Sequence, residues 1–169
     1  RIVCVNELER IINYKFKNWT LLEEAITHSS FNKNNLKIKI KNYERLEFLG
    51  DSILNLIISD YLFCNFPHAN EGLLSRMRSF IVKGDTLAKK ASELGLLNFI
   101  KLSKGTANLS DQRKHSILEG SIESIIGSVY LDGGWTEANR FVLNLFKKEL
   151  SNIKPDHEFR DSKTCLLYT

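Results

Sequence analysis

Three acidic side chains, those of Glu44, Glu47 and Asp51, recur at positions i, i+3 and i+7 of one stretch. That spacing places the three carboxylates on one face of an α-helix. Neighbouring carboxylates repel one another, and a bound cation would relieve the repulsion. The stretch is therefore a candidate metal site, although a solvated acidic first turn is the commoner explanation for such a triplet considered by itself.

The acids come directly before an apolar run that predicts a buried helix. The apolar residues of this run are Ile53, Leu54, Leu56, Ile57, Ile58, Tyr61 and Leu62. The helix is expected to end at about Phe66, because Pro67 disfavours helical backbone in the residue before it. The carboxylates should thus lie at the N-terminal end of a core helix, where the helix dipole favours negative charge.

A second landmark covers residues 116–134 and carries one more acid, Glu123, within an isoleucine-rich stripe. The stripe consists of Ile122, Ile125, Ile126 and Val129, and the small residues among them are Gly120, Ser124, Gly127 and Ser128. Small residues allow another helix to approach closely. If the two landmark helices pack together, Glu47, Asp51 and Glu123 converge.

Capping residues predict two short helices before the first landmark. Asn6 can cap a helix that carries Leu8, and Thr20 with Glu23 makes a capping box for the next helix. His28 follows at the end of that helix. We expect this histidine to be bonded to backbone rather than to act as a catalytic base.

Helical periodicity continues through the remainder of the chain. It predicts a helix that Asn70 opens, helices over residues 86–94 and 135–150, and a turn over residues 105–114. No stretch alternates apolar and polar residues with a period of two, and there is no internal repeat. The fold class predicted from these patterns is all-α.

Composition points to an ordinary globular domain. The chain has 169 residues, of which 43% are hydrophobic and 26% charged, and no apolar run is long enough to span a bilayer. The three cysteines, Cys4, Cys64 and Cys165, have no metal-binding spacing and are expected to be free thiols. The net charge of +4 suits a polyanionic partner but does not identify one.

Residues 42–52, which read NYERLEFLGDS, resemble the signature of the ribonuclease III family of double-stranded RNA endonucleases. The runs Thr27–Ser30, Ser75–Arg78 and Asp161–Thr164 are similar to family segments as well, and the resemblance covers about residues 5–165. It implies an all-α ribonuclease III endonuclease domain over residues 1–154. Residues 155–169 would then be a linker towards a double-stranded RNA-binding domain that is absent from this chain.

The resemblance also implies the site. Glu47, Asp51 and Glu123 correspond to metal ligands, with Asp51 and Glu123 in the catalytic role, and Glu44 and Glu71 match accessory positions. The implied cofactor is Mg²⁺, with Mn²⁺ as a substitute. Oxygen ligands from carboxylates and waters are what such a hard cation requires.

The activity implied is Mg²⁺-dependent hydrolysis of double-stranded RNA, in ribosomal and other RNA processing. The enzyme would be a cytoplasmic homodimer with one site per subunit, each site cutting one strand, and with no membrane partner. Duplex RNA is read mainly through its shape, backbone and 2′-hydroxyls, so no base-reading motif is expected.

One position departs from the family pattern. The later helix of the family carries Asp-x-x-Glu; the Glu matches Glu123, but the Asp falls on Gly120. Glu119 could replace it, although adjacent helical positions point about 100° apart. A water could fill the vacant ligand position instead, or the domain could be a catalytically impaired RNA-binding or ribosome-associated module.

Overall fold

A computed structural model of the chain describes residues 2–34, 41–104 and 109–155. Within these ranges the chain is helical, and its sole bridge is an isolated parallel pair between Thr27 and Lys101. The helices are α1 (Ile2–Ile12), α2 (Trp19–Ala25), α3 (Glu44–Asn65), α4 (Glu71–Ile81), α5 (Gly84–Glu93), α6 (Asp111–Leu145) and α7 (Lys147–Asn152). Short 3₁₀ turns cover Ser29–Asn34 and Leu96–Asn98. The all-α prediction is confirmed.

Helices α3 and α6 form the centre of the fold, and two glycines set how closely they approach. A Cβ atom built on Gly50 would lie 1.7 Å from the carbonyl oxygen of Glu123. A Cβ on Gly127 would lie 2.4 Å from the carbonyl oxygen of Leu46. Both distances are far inside van der Waals contact, so the two backbones touch where neither helix has a side chain.

The core surrounds this crossing. The apolar face of α3 and the isoleucine stripe of α6 are fully buried, and α2 and α5 pack against α6 from other sides. The fully buried side chains on α3 and α6 include Leu54, Ile57, Ile58, Ile122, Ile125 and Ile126. Burial of such side chains contributes roughly 1.5–3 kcal/mol each, which holds the two helices in one register.

Asp132 of α6 anchors the connection between α1 and α2. Its carboxylate accepts hydrogen bonds from the Tyr14 hydroxyl at 2.7 Å and from the backbone N–H groups of Lys17 and Asn18 at 2.8 Å each. Partial burial raises the pKa of Asp132, but these hydrogen bonds outweigh it and leave the pKa below its usual value. The acid therefore has a structural role here.

The boundaries predicted for the two landmark helices are largely confirmed. Helix α3 ends at Asn65, with Phe66 as its C-cap, and α4 begins after Asn70, whose side chain accepts from the Leu73 N–H. The turn predicted over residues 105–114 is wrong for its last residues, because Ser110 caps α6 and the helix begins at Asp111. Residues 105–108 lie outside the described ranges.

Three smaller predictions at helix ends need correction. Asn6 does not cap the first helix, because α1 begins at Ile2 and Asn6 lies within it. The residue that caps α2 is Asn18 and not Thr20, because Asn18 Oδ1 accepts from the backbone N–H and the hydroxyl of Thr20. The last long helix does not extend to residue 150. Helix α6 is kinked at Gly134, where φ is 78°, and ends at Leu145, and the short α7 follows.

His28 has the backbone-bonded position that was expected. Its Nδ1 accepts from the backbone N–H of Ser30 at 3.1 Å and lies 2.8 Å from the Ser30 hydroxyl. Its ring packs against the ring of Tyr43, with 5.6 Å between the centroids. The linker predicted over residues 155–169 lies outside the described residues from position 156 onwards, so its assignment stays a prediction.

We expect Gly50→Ala to lower the free energy of unfolding by at least about 2 kcal/mol, because the added methyl group would overlap the Glu123 carbonyl and force α3 and α6 apart. Urea denaturation measures the effect. Gly72→Ala is the matched control: its nearest neighbour would be the Arg76 side chain at 3.4 Å. The control should be unchanged or up to about 1 kcal/mol more stable. Equal stability of the two variants would contradict the proposed crossing.

Candidate active site

The crossing of α3 and α6 brings three of the predicted acids together. Glu47 and Asp51 flank Gly50 on α3, and Gly50 lies directly against the backbone of Glu123 on α6. The negative charges of Asp51 and Glu47 both raise the pKa of Glu123. The two landmark helices therefore pack together as predicted, while a shared metal site formed by Glu47, Asp51 and Glu123 stays a prediction.

Glu123 is the most buried of these acids, with 8% of its surface exposed. Burial, followed by the charges of Asp51, Glu47 and Glu119, raises the pKa of its carboxyl group to about 8. No hydrogen bond or ion pair reaches this carboxylate from the described part of the chain, and none contributes to its pKa. The carboxylate oxygens themselves reach solvent, so a cation could approach them from there.

Glu47 is half-buried and lies over Gly120. A Cβ atom on residue 120 would be 3.0 Å from the Glu47 Cδ and 3.0 Å from the Cε2 of Tyr43. Burial raises the pKa of Glu47, and the charges of Glu119, Glu44 and Asp51 add to the effect. The space that a side chain at position 120 would enter is thus bordered by Glu47 and the buried ring of Tyr43.

Asp51 is exposed at the rim of the group and is held by the next turn of its own helix. The Asn55 Nδ2 donates to the Asp51 Oδ1 at 3.1 Å and to the Asp51 carbonyl at 2.9 Å. One carboxylate oxygen is thereby oriented. The other remains available for a ligand.

The two predicted accessory acids lie in different places. Glu44 is exposed one turn before Glu47, and its charge raises the pKa of Glu47. Glu71 begins α4, accepts from the Ser75 hydroxyl at 2.9 Å and lines a separate groove with Asp60 and Arg78. It is not among the charges that shift Glu47 or Glu123. An accessory role for Glu71 stays a prediction.

Glu119 belongs to the same group of charges, although helical geometry suggested that it would point away. Among the neighbouring charges, Glu119 has the largest effect on the pKa of Glu47, and it also raises the pKa of Glu123. The signal in the sequence was its position next to Gly120. Its carboxylate lies against the start of α5, with both oxygens 2.9 Å from the position that a Cβ atom of Gly84 would take.

This set of side chains has the right chemistry for a hard divalent cation. It offers carboxylate oxygens alone, without a Lys or Arg side chain paired to Glu47 or Glu123 in the described residues. In those residues no group of three acidic, His or Cys side chains is close enough to hold one ion directly. Mg²⁺ fits such an arrangement, because it keeps several waters and needs one or two direct carboxylates.

The pH dependence of stability follows from Glu123. An acid whose pKa rises on folding stabilises the protein fully below its unfolded pKa, near 4.5, and this contribution is lost as the pH rises towards about 8. In metal-free protein the free energy of unfolding should therefore fall between pH 5 and 8, by up to about 1.4 kcal/mol per pH unit. Folding lowers the pKa of Asp132, so the contribution of this acid to stability changes only near and below its ordinary pKa of 3.8. Between pH 5 and 8 that contribution is constant, and it cannot offset the loss at Glu123.

Urea denaturation across this pH range, in wild type and Glu123→Gln, measures the effect. The amide cannot ionise, so the variant should show a flatter profile in which only the fall due to Glu47, whose pKa is also raised, remains. Added Mg²⁺ should also flatten the wild-type profile, because a cation stabilises the ionised carboxylates. Parallel profiles for the two proteins would show that Glu123 is not the titrating group.

Comparison with known proteins places these features in a family. Residues 18–150 match the sequence model of the ribonuclease-III-like family. The Ribonuclease 3 of Wolbachia sp. subsp. Brugia malayi is 48% identical over 80% of this chain, and that of Legionella pneumophila (strain Lens) is 42% identical over 97%. The chain spans 56% and 70% of the lengths of these two relatives, respectively.

Solved structures agree with the sequence relatives. The nuclease domain of ribonuclease III from Campylobacter jejuni superimposes with a TM-score of 0.77 at 39% identity, covering 86% of this chain and 97% of that one. Dicer from Pichia stipitis gives a TM-score of 0.60 at 27% identity, covering 86% of this chain and 61% of Dicer. The chain therefore belongs to the ribonuclease III family, as its signature predicted, and has the fold of the family's nuclease domain.

Proposed function

We propose that this nuclease domain cleaves double-stranded RNA by hydrolysing phosphodiester bonds with a divalent metal ion, Mg²⁺ or in its place Mn²⁺. The observation that carries the proposal is the unpaired carboxylate of Glu123, a residue only 8% exposed, whose pKa is raised by the charges of Asp51 and Glu47 beside the crossing of α3 and α6. The carboxylates of Glu47, Asp51, Glu119 and Glu123 repel one another, and a bound cation would offset that repulsion.

The proposed roles follow from the positions of the side chains. Glu47, Asp51 and Glu123 would hold the metal ion, directly or through its waters. Bound Mg²⁺ would supply an activated water and neutralise charge that develops on the phosphate. Asp51 is the exposed member of the group and is oriented by Asn55, so it is suited to face the substrate, while Glu123 forms the buried wall.

The alternative of a catalytically impaired module was based on the missing side chain at Gly120. The relatives give it no support, because those compared above carry the name Ribonuclease 3. In the described residues no helix is long and apolar enough to cross a membrane. Ribosomal RNA processing and a cytoplasmic location remain predictions from the family.

A homodimer is part of the proposal, and α3 offers a surface for it. Phe48 is 80% exposed beside an open groove of about 1090 Å³. The groove is lined by Leu21, Leu46, Leu49, Leu131, Arg45 and Glu44, among others. In a two-fold interface the same patch of both subunits is in contact. Phe48 of each subunit could therefore fill the groove of the other. One structure of the Campylobacter jejuni domain is described in terms of a region involved in dimer formation.

Substitution of the acids should abolish cleavage. Asp51→Asn and Glu123→Gln are each expected to lower the rate at which labelled duplex RNA is cut in Mg²⁺ by at least about 100-fold, because each loses a metal-binding charge. Removal of the metal with a chelator should have the same effect on wild type. Single-turnover cleavage followed on a denaturing gel measures these rates.

Asp60→Asn provides the matched control, since Asp60 is exposed on the same helix as Asp51 and the change in charge is identical. It should cut at the wild-type rate. Wild-type rates in both Asp51→Asn and Glu123→Gln would show that the site is wrongly placed. No cleavage by wild type at high protein concentration, with either metal, would overturn the proposed activity.

The dimer has its own test in Phe48→Ala. Loss of a buried Phe side chain removes about 2 kcal/mol, and a two-fold interface loses it twice, so the dissociation constant should rise at least about 100-fold. Sedimentation velocity over a concentration series measures it. Phe63→Ala removes an aromatic ring that is 71% exposed on the same helix and should leave the dimer intact. Identical sedimentation of Phe48→Ala and wild type would exclude this surface.

A further inference from the structure

We propose that Lys83 binds a backbone phosphate of the duplex RNA and thereby positions the duplex over the acids of the candidate site. The inference rests on the proposed function and names a further residue of the same substrate surface. Lys83 lies in the α4–α5 corner, which consists of residues 80–84. It would contribute to the affinity for RNA and not to the chemical step.

The α4–α5 corner adjoins the acids through the first residue of α5. A Cβ atom on Gly84 would lie 2.9 Å from both carboxylate oxygens of Glu119. A Cβ atom on the next residue of α6, Gly120, would lie 3.0 Å from the Glu47 Cδ. Consecutive Cα atoms are about 3.8 Å apart, so the start of α5 and the Glu47 carboxyl group border neighbouring positions of α6. An RNA backbone that lies over the acids can therefore also reach Lys83.

Lysine is an unfavourable residue at the place that Lys83 occupies in the fold. It is the N-cap of α5, where its backbone is extended and its carbonyl accepts from the N–H groups of Thr86 and Leu87. Its side chain makes no capping hydrogen bond, whereas the side chains of Asn70 and Ser110 cap α4 and α6. Its positive charge also lies at the positive end of the helix dipole. A residue that opposes the local preference without a gain for the fold indicates a functional role.

The Lys83 ammonium group is exposed and forms no ion pair with an acid of the described residues. Asp85, the nearest acid along the chain, has its Oδ1 2.9 Å from the Nε2 of His115 instead. The ammonium lies over the ring of Phe80, 4.9 Å from the ring centroid, and that ring is itself 51% exposed. Such a contact holds the positive charge at the surface without neutralising it. The charge therefore remains available to an anion.

The neighbouring acids indicate why a phosphate contact is needed at this corner. The carboxylates of Glu47, Asp51 and Glu123 repel an RNA backbone that approaches them, and a lysine at their border offsets part of that repulsion. Contacts to phosphates fix the orientation of a nucleic acid without reading its sequence. This is the kind of contact that recognition of duplex RNA by shape and backbone requires.

The first test measures RNA binding. Labelled duplex RNA stays uncut in Mg²⁺ with Glu123→Gln as the parent protein, and fluorescence anisotropy gives the dissociation constant over a series of KCl concentrations. Lys83→Asn in this parent should weaken binding at least about 5-fold, because a charged contact is lost. The slope of log affinity against log salt should decrease by about one for each lysine that touches the duplex. Lys83→Arg keeps the charge and the contact with Phe80, so it should bind like the parent.

Lys89→Asn is the matched control, because Lys89 is an exposed lysine of the same helix and the change in charge is identical. It should bind like the parent. With Glu123 restored, Lys83→Asn should raise the protein concentration that gives half of the maximal single-turnover cleavage rate. The maximal rate itself should be unchanged, since Lys83 does not act in the chemical step.

Thermal unfolding distinguishes this role from a structural one. Asparagine is a good N-cap, so Lys83→Asn should have the wild-type Tm or a Tm up to about 4 °C higher. A loss of RNA binding in a protein that is no less stable cannot result from unfolding. A Tm clearly below that of wild type would show that Lys83 serves the helix, which would overturn the proposal.

The remaining outcomes separate the inference from the proposed function. Parental affinity and salt dependence in Lys83→Asn would overturn the role of Lys83 and leave the proposed function intact. An equal loss of binding in Lys89→Asn would reduce the effect to net charge, which also overturns the proposal. No duplex binding by the parent, together with no cleavage by wild type, would overturn the proposed function itself.

Discussion

The close contact between α3 and α6 is the constraint on which the rest of this structure depends. Gly50 and Gly127 allow the two backbones to meet, so the residues beside them are brought closer than ordinary helix packing permits. Glu47 and Asp51 flank Gly50 on one helix, and Glu123 is the residue that Gly50 touches on the other. The geometry of the acids is therefore set by two residues that carry no side chain.

This contact places like charges together in a poorly hydrated position. The raised pKa values of Glu123 and Glu47 express the resulting destabilisation, since burial and mutual repulsion both favour the protonated forms. The apolar faces of the same helices offset the effect through the burial of Leu54, Ile57, Ile122 and Ile125. Stability lost at the acids is thus compensated a turn or two away on the same elements, which is typical of functional sites.

Local patterns in the sequence predicted those parts of the fold that are determined locally. The end of α3 before Pro67 and the start of α4 after Asn70 depend on the conformational preferences of one or two residues. The cap of α2 was assigned incorrectly because Thr20 and Asn18 are both good capping residues, and only the backbone geometry distinguishes them. The convergence of Glu47 and Asp51 with Glu123 depends on contact between distant elements, so it could be suggested but not established from spacing.

Position 120 shows why the site could not be understood one residue at a time. Considered by itself, a glycine in place of an acid is a lost ligand. In the folded chain, Glu47 and Tyr43 border the space above Gly120, and the neighbouring Glu119 carries its carboxylate into the cleft beside Gly84. A side chain at position 120 would therefore have to displace Glu47 or Tyr43, which no pattern in the sequence around Gly120 reveals.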